Sequence, residues 1–210
     1  MGERRSRKLV SVRKPKHSPY FGAEPQEWAA VTRSLLKSHP LKIDDVVDSV
    51  LSAWNGIFTS QIGHQQLKIG QELKPAPQIM GFLLHELVPF ELTAKYPRKW
   101  KTGIRAGEKD LVFKGEPGYS IEIKTSSHPT SIFGNRSYGQ QGVDGEKKSK
   151  DGFYIAINFD KWDVPSPGVS LIRWGWLDHA DWTAQNAASG QQANLPAVVE
   201  NNQLLTLFKR

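Results

Sequence analysis

Lys109–Ser127, KDLVFKGEPGYSIEIKTSS, is the stretch on which the reading of this chain turns. Asp110 heads an apolar run, Leu111-Val112-Phe113, which ends at Gly115, Pro117 and Gly118. A second run, Ser120-Ile121-Glu122-Ile123-Lys124, follows. Two β-forming runs joined by Gly and Pro predict an antiparallel hairpin. Side chains alternate along a strand, so Ile121 and Ile123 share one face and Glu122 and Lys124 the other. The isoleucines can enter a core while a carboxylate and an ammonium project together, with Asp110 reaching them from the neighbouring strand. Two carboxylates suit a hard divalent cation such as Mg²⁺, which keeps company with carboxylate and phosphate oxygens. A lysine beside them can orient or deprotonate a water for attack on phosphorus.

Asp110 followed by Glu122-Ile123-Lys124 resembles the PD-(D/E)xK nuclease superfamily, with Lys109-Asp110 where that family carries Pro-Asp. Such a spacing on its own also fits a solvated strand face. The continuation, Thr125–Gln141 (TSSHPTSIFGNRSYGQQ), is similar to the segment after the catalytic lysine in type II restriction endonucleases, most of all the ScaI-type group. The resemblance covers roughly residues 80–182. It implies a restriction-endonuclease-like α/β fold, a mixed β-sheet core flanked by α-helices. It also implies Mg²⁺-dependent, sequence-specific cleavage of double-stranded DNA by a homodimer. Asp110 and Glu122 would hold the metal with the main-chain carbonyl of Ile123, and Lys124 would assist the water. In this family a preceding helix often adds a carboxylate, which places Glu86, or else Glu91, in the site. His85 reads as structural, because adjacent helix residues do not face one another.

Thr125–Lys150 is rich in hydrogen-bonding side chains on a Gly-punctuated frame. Ser126, Ser127, His128, Asn135, Arg136, Ser137, Tyr138, Gln140 and Gln141 are the candidate DNA contacts. Arg suits the acceptor edge of guanine, and Asn and Gln suit adenine. Hydroxyls suit phosphate oxygens, which position without specifying. Loops of this length inside a compact domain are uncommon unless functional.

Charge is unevenly placed. Of a net +7, residues 1–20 hold seven basic side chains against Glu3, leaving +1 for the rest. That predicts a basic arm, residues 1–20, on a single nuclease domain, residues 21–210. The arm suits DNA phosphates or a groove, and equally a solubilising tail; Glu3 and the missing amphipathic pattern count against an organelle transit peptide. The absence of cysteine excludes disulfides and thiolate zinc sites. No apolar run reaches the ~18 residues of a membrane span, so a cytoplasmic, membrane-free protein is expected. No HExxH or GxSxG occurs, which removes the common zinc-protease and serine-hydrolase signatures.

Elsewhere, helices are expected over Gln26–Lys37, Ile43–Gln61 and Gln78–Tyr96, the last broken or kinked at Pro89. A short helix is expected over Gly63–Leu73, and buried strands over Gly152–Asp160 and Val169–Leu177. Asp178–Gln185 begins a helix or turn, and Leu204–Phe208 ends the chain as a strand or short helix. Trp174, Trp176 and Trp182 read as core. The sheet should hold four or five strands. Two rivals share the pattern: a structure-directed repair or junction nuclease, and a non-catalytic DNA-binding protein.

Overall fold

A computed structural model describes residues 13–105, 107–139, 150–185 and 192–210. Helix α1 spans Trp28–Ser38 and α2 spans Ile43–Thr59. In α2, Val46, Val50, Ala53, Trp54 and Ile57 recur at helical spacing and are all buried. Asp44 and Asp45 lie in its first turn, where the helix dipole favours negative charge. Strands β1 (Gln61–Ile62) and β2 (Leu67–Lys68) form a small antiparallel pair where a short helix was expected. Gly63 lies at φ 70° and Gln66 at φ 55°, values that turn the chain back and are foreign to a right-handed helix.

Helix α3 spans Pro77–Lys95 and runs through Pro89. Pro89 has no N–H to give the carbonyl of His85, a local cost. Val88 and Leu92, both fully buried beside it, hold the segment helical through tertiary packing.

Strands β3 (Trp100–Thr102), β4 (Leu111–Phe113), β5 (Ile121–Ser126), β7 (Gly152–Phe159), β8 (Val169–Leu177) and β11 (Leu204–Lys209) build one sheet. It has six strands, ordered β11-β8-β7-β5-β4-β3, one or two more than expected. The additions are three-residue β3, too short to announce itself, and β11 at the far edge. The pair β5–β7 is parallel, and every other pairing is antiparallel.

A parallel pair cannot be closed by a tight turn. The chain must return along the sheet, and the crossover between β5 and β7 carries the polar segment. Within it lie β6 (Phe133–Asn135) and a 3-10 turn, Arg136–Gly139. Strand β6 joins β9 (Thr183–Ala184) and β10 (Gln192–Asn194) in a second sheet, ordered β6-β10-β9.

All eight residues of β7 are buried, and they alternate between two cores. Phe153, Ile155, Ile157 and Phe159 join Ile121, Ile123, α2 and α3 on one face. Tyr154 and Ala156 join Trp28, Trp182 and Val199 on the other. Val199 belongs to helix α4, Ala197–Gln203. Trp174 and Trp182 are buried, as their reading as core requires.

His39 ends α1 inside an aromatic box, with ring centroids 4.6 Å from Phe153 and 4.7 Å from Trp174. Its Nδ1 accepts the Leu41 N–H at 3.1 Å, so Nε2 carries the proton given to the Tyr119 carbonyl at 3.0 Å. Burial lowers its pKa to about 4. A neutral imidazole therefore pins the turn that joins β4 to β5.

At the other end, Lys14 is buried between Asp178 and Asp181, at 3.1 Å from Asp178. Ser18 donates to Asp178 at 2.7 Å. Residues 13–20 thus pack on the domain. The arginines of residues 1–12 lie outside the described residues.

Candidate active site

The hairpin opens where its chemistry begins. Strands β4 and β5 share one registered pair, Leu111 with Ile121, and then separate. Beyond that point the Asp110 carboxylate replaces a strand carbonyl: Ile123 donates its N–H to Asp110 Oδ2 at 2.7 Å. Ile121 and Ile123 are fully buried in the main core. Glu122 and Lys124 take the opposite face, in register with Tyr154 and Ala156 of β7. That is the face arrangement expected from alternation.

The face is not open to water, however. Glu122 is 3% exposed. Its Oε1 accepts from Lys124 Nζ at 2.7 Å and from the Tyr138 hydroxyl at 2.7 Å. Lys124 Nζ lies 4.6 Å from the centre of the Tyr138 ring, a cation–π distance. Burial, and then the Glu122 charge, push the Tyr138 pKa far up, so the phenol is a donor throughout the working pH range. A charge this enclosed survives only with donors around it, and the lysine and phenol supply them.

His85 completes the site from α3. Its Nε2 lies 3.2 Å from Asp110 Oδ2 and its Nδ1 3.1 Å from Glu86 Oε1. A carboxylate at each nitrogen favours the protonated ring, in which both nitrogens can donate. The hydrogen bond to Asp110 is the leading cause of its raised pKa. His85, read from the sequence as structural, thus contacts Asp110 directly. The helical advance between neighbours turns His85 to the hairpin and leaves the Glu86 side chain 50% exposed. Glu86 reaches Asp110 through His85, not by its own oxygens. Glu91 stands about 9 Å further along α3. No isolated histidine in a sequence marks itself this way; the signal would have been its helix face relative to Asp110.

Next to these groups lies an open cavity of about 750 Å³. Pro77, Gln78, Phe82 and His85 of α3 form one wall, and Phe133, Asn135 and Gln192 of the small sheet form the other. Ser126, Ser127 and His128 line its floor, so four of the expected DNA contacts, these three and Asn135, meet in one groove. Arg136 and Ser137 are exposed in the following 3-10 turn. Tyr138 departs from expectation: it is 6% exposed and faces Glu122. Gln140, Gln141, Lys147 and Lys148 lie outside the described residues.

A buried polar clamp holds the groove floor. Glu200 of α4 accepts the Ile132 N–H at 2.9 Å and the Ser131 hydroxyl at 3.1 Å. Asn158 donates to the carbonyls of His128, at 2.7 Å, and Ser131, at 3.0 Å. Arg173 donates to Asn158 Oδ1 at 3.1 Å and to the Thr130 carbonyl. His128 Nδ1 in turn accepts the N–H groups of Thr130 and Ser131. A loop so fully bonded behind its surface presents Ser127 and His128 in one arrangement.

The family model described as ScaI restriction endonuclease matches residues 18–208. The chain belongs to the ScaI restriction endonuclease family. It is 50% identical over 197 residues to a type II restriction enzyme, ScaI, of Streptomyces caespitosus, covering 92% of this chain and 86% of that protein. The family match extends over every strand of both sheets except the last residue of β11.

Two acidic groups in this family member have the composition of a cation site. Asp110 and Glu122 offer hard oxygens beside a groove, which suits Mg²⁺ better than a soft metal. Elsewhere, His17, Asp151 and Asp178 bring ligand atoms within 4.8 Å of one another. They share no residue with the hairpin site, and the Lys14 ammonium already sits on Asp178. No helix among the described residues is long and apolar enough to cross a membrane.

Proposed function

We infer that this chain is a type II restriction endonuclease that hydrolyses phosphodiester bonds in double-stranded DNA through Asp110, Glu122 and Lys124. The observation that carries the site assignment is that His85, which lines the groove, meets Asp110, while Glu122 and Lys124 pair on the adjoining strand, in a chain of the ScaI family. Asp110, Glu122 and the carbonyl of Ile123 are the oxygens that would hold Mg²⁺. When bound, the ion would supply a Lewis acid for the phosphate and lower the pKa of a water.

The chain's own residues prepare the rest. Lys124 lies 2.7 Å from Glu122, so its ammonium is held at the carboxylate, where it can orient a water and stabilise charge growing on phosphate oxygen. Tyr138 holds Glu122 Oε1 from behind, which fixes the carboxylate before DNA arrives. His85 holds Asp110 Oδ2 in the same way from α3. Ser126, Ser127, His128, Asn135, Arg136 and Ser137 contact the duplex from the floor and rim of the groove. Of the basic arm, residues 1–20, Arg13 and Lys16 are exposed and act on phosphates while Lys14 is held by Asp178 and Asp181, and residues 21–210 act as the nuclease domain. Cutting both strands of a palindrome calls for two copies related by a two-fold axis.

Phage-length duplex DNA incubated with Mg²⁺ or with EDTA, beside Glu122→Ala, tests the reading. Discrete fragments that require both the metal and Glu122 are expected, and their ends give the recognition site. A metal-dependent smear, or cleavage of branched DNA alone, would transfer the protein to the repair nucleases. Binding with no cleavage in any divalent metal would leave a DNA-binding protein and refute the catalytic assignment.

A further inference from the structure

The small sheet offers a feature that the hairpin chemistry does not use. Strand β10 is its centre, with β6 on one side and β9 on the other. Gln192 pairs with Asn135, Ala193 with Gly134, and Asn194 with Phe133. Cross-strand partners share a face, so Gln192 and Asn135 project together, and Ala193 and Gly134 project behind. The rear face is packed tight. Ala193 is fully buried, and a Cβ placed on Gly134 would fall 2.7 Å from Tyr138 Cγ and 3.2 Å from Trp182 Cε3. The front face is exposed and forms a wall of the groove.

The front face is also ordered as a row of amides. Gln185, just past β9, donates from Nε2 to Gln192 Oε1 at 3.4 Å, and its N–H goes to the Gln192 carbonyl at 3.1 Å. Ser137 donates to Asn135 Oδ1 at 2.6 Å. The amide oxygens of Gln192 and Asn135 thereby each have one neighbour assigned, which leaves Gln192 with its NH₂ donors and one lone pair of Oε1 for an outside group. One donor and one acceptor on a planar carboxamide match the N7 acceptor and N6 donor of adenine in the major groove. A β-ribbon is narrow enough to enter that groove.

We propose that β6, β10 and β9 form a recognition ribbon in which the Gln192 carboxamide, buttressed by Gln185, reads an adenine in the major groove beside the scissile phosphate. The proposal rests on the nuclease reading above and names the chemistry of its specificity. Its mechanical basis is Tyr138, whose ring backs Gly134 and whose hydroxyl holds Glu122. The reading face and the catalytic carboxylate are thus set at a fixed separation through one side chain.

The test uses the site mapped from wild-type fragment ends. Single-turnover cleavage is measured on that duplex, with each adenine replaced in turn by 7-deazaadenine, which lacks the N7 acceptor. Wild type should lose roughly 5- to 150-fold at one adenine of each half-site, as expected for one bidentate base contact. Gln192→Ala should show a loss of similar size on the unmodified duplex and no further loss at that adenine. Its melting temperature and its low-salt affinity for unrelated duplex should match wild type. Equal sensitivity of both proteins at every adenine, or wild-type rates from Gln192→Ala, would overturn the proposal while leaving the nuclease intact. A wild-type protein that cuts no duplex would overturn both.

Discussion

The hairpin of Asp110, Glu122 and Lys124 and the small sheet sit on opposite sides of Tyr138 and treat polar groups in opposite ways. The hairpin takes a carboxylate out of water: Glu122 is 3% exposed and is met by an ammonium and a phenol. The small sheet leaves Asn135, Gln185 and Gln192 in water and buries only Gly134 and Ala193 behind them. Chemistry on a phosphate needs charges whose partners are already oriented, because reorienting them during the reaction would cost rate. Reading a base needs donors and acceptors that remain available, and their cost is small while solvent satisfies them. The same backbone form, a β-strand, serves both roles because alternation lets one strand present two environments.

The largest effects should fall on the hairpin. Glu122→Gln and Lys124→Ala each should reduce cleavage by at least on the order of 10²–10³-fold. Circular dichroism of both variants should remain native; a collapsed spectrum would assign the residues to folding instead.

Acid should also act first on the hairpin side, through the turn held by His39. The folded pKa of His39 is lowered to about 4 from 6.5, so the unfolded chain takes the proton first as pH falls. This contribution to stability is complete above about pH 6.5 and is lost progressively toward pH 4, about 3 kcal/mol in all. Urea midpoints at pH 7 and pH 4.5 measure it. His39→Gln, which does not titrate, should flatten that part of the profile.

Tyr138→Phe separates the two regions by removing only the hydroxyl. The ring still backs Gly134, while Glu122 Oε1 loses one donor. A hydrogen bond to a buried charge stabilises by about 1.5–3 kcal/mol, and a loss of that order is expected in denaturant. The turnover number should fall while affinity for the site duplex stays unchanged. A fall in affinity as well would show that the hydroxyl, through Glu122, also sets the DNA-contacting face. Smallest of all should be the stability change in Gln192→Ala, within about 0.5 kcal/mol because its amide is solvent-exposed. A larger change would mean that the amide row is holding the sheet together.

Local pattern carried the reading far. The alternation of Ile121, Glu122, Ile123 and Lys124 set their faces, and the structure places them so. The apolar runs that became β7 and β8 were legible with nearly their final ends, since burial on both faces demands continuous hydrophobicity. Helix α2 was legible for a related reason, its repeat of apolar residues at helical spacing. Where the signal was short or ambiguous, legibility ended. β3, β9 and β10 have two or three residues each, below any useful period. Gly63–Leu73 looked helical because its turn residues are scattered among polar ones.

Sequence by itself determined the strand faces, the hairpin, the main helix and the candidate carboxylate–lysine set, because those follow from periodicity and residue chemistry within a few positions. Only the tertiary structure decided that His85 rather than Glu86 meets Asp110, that Tyr138 turns inward to Glu122, and that Gln192 faces the groove beside Asn135. Each of those joins elements between 16 and 57 residues apart in the chain. Such a meeting is set by how helices and strands pack, and no local pattern encodes it.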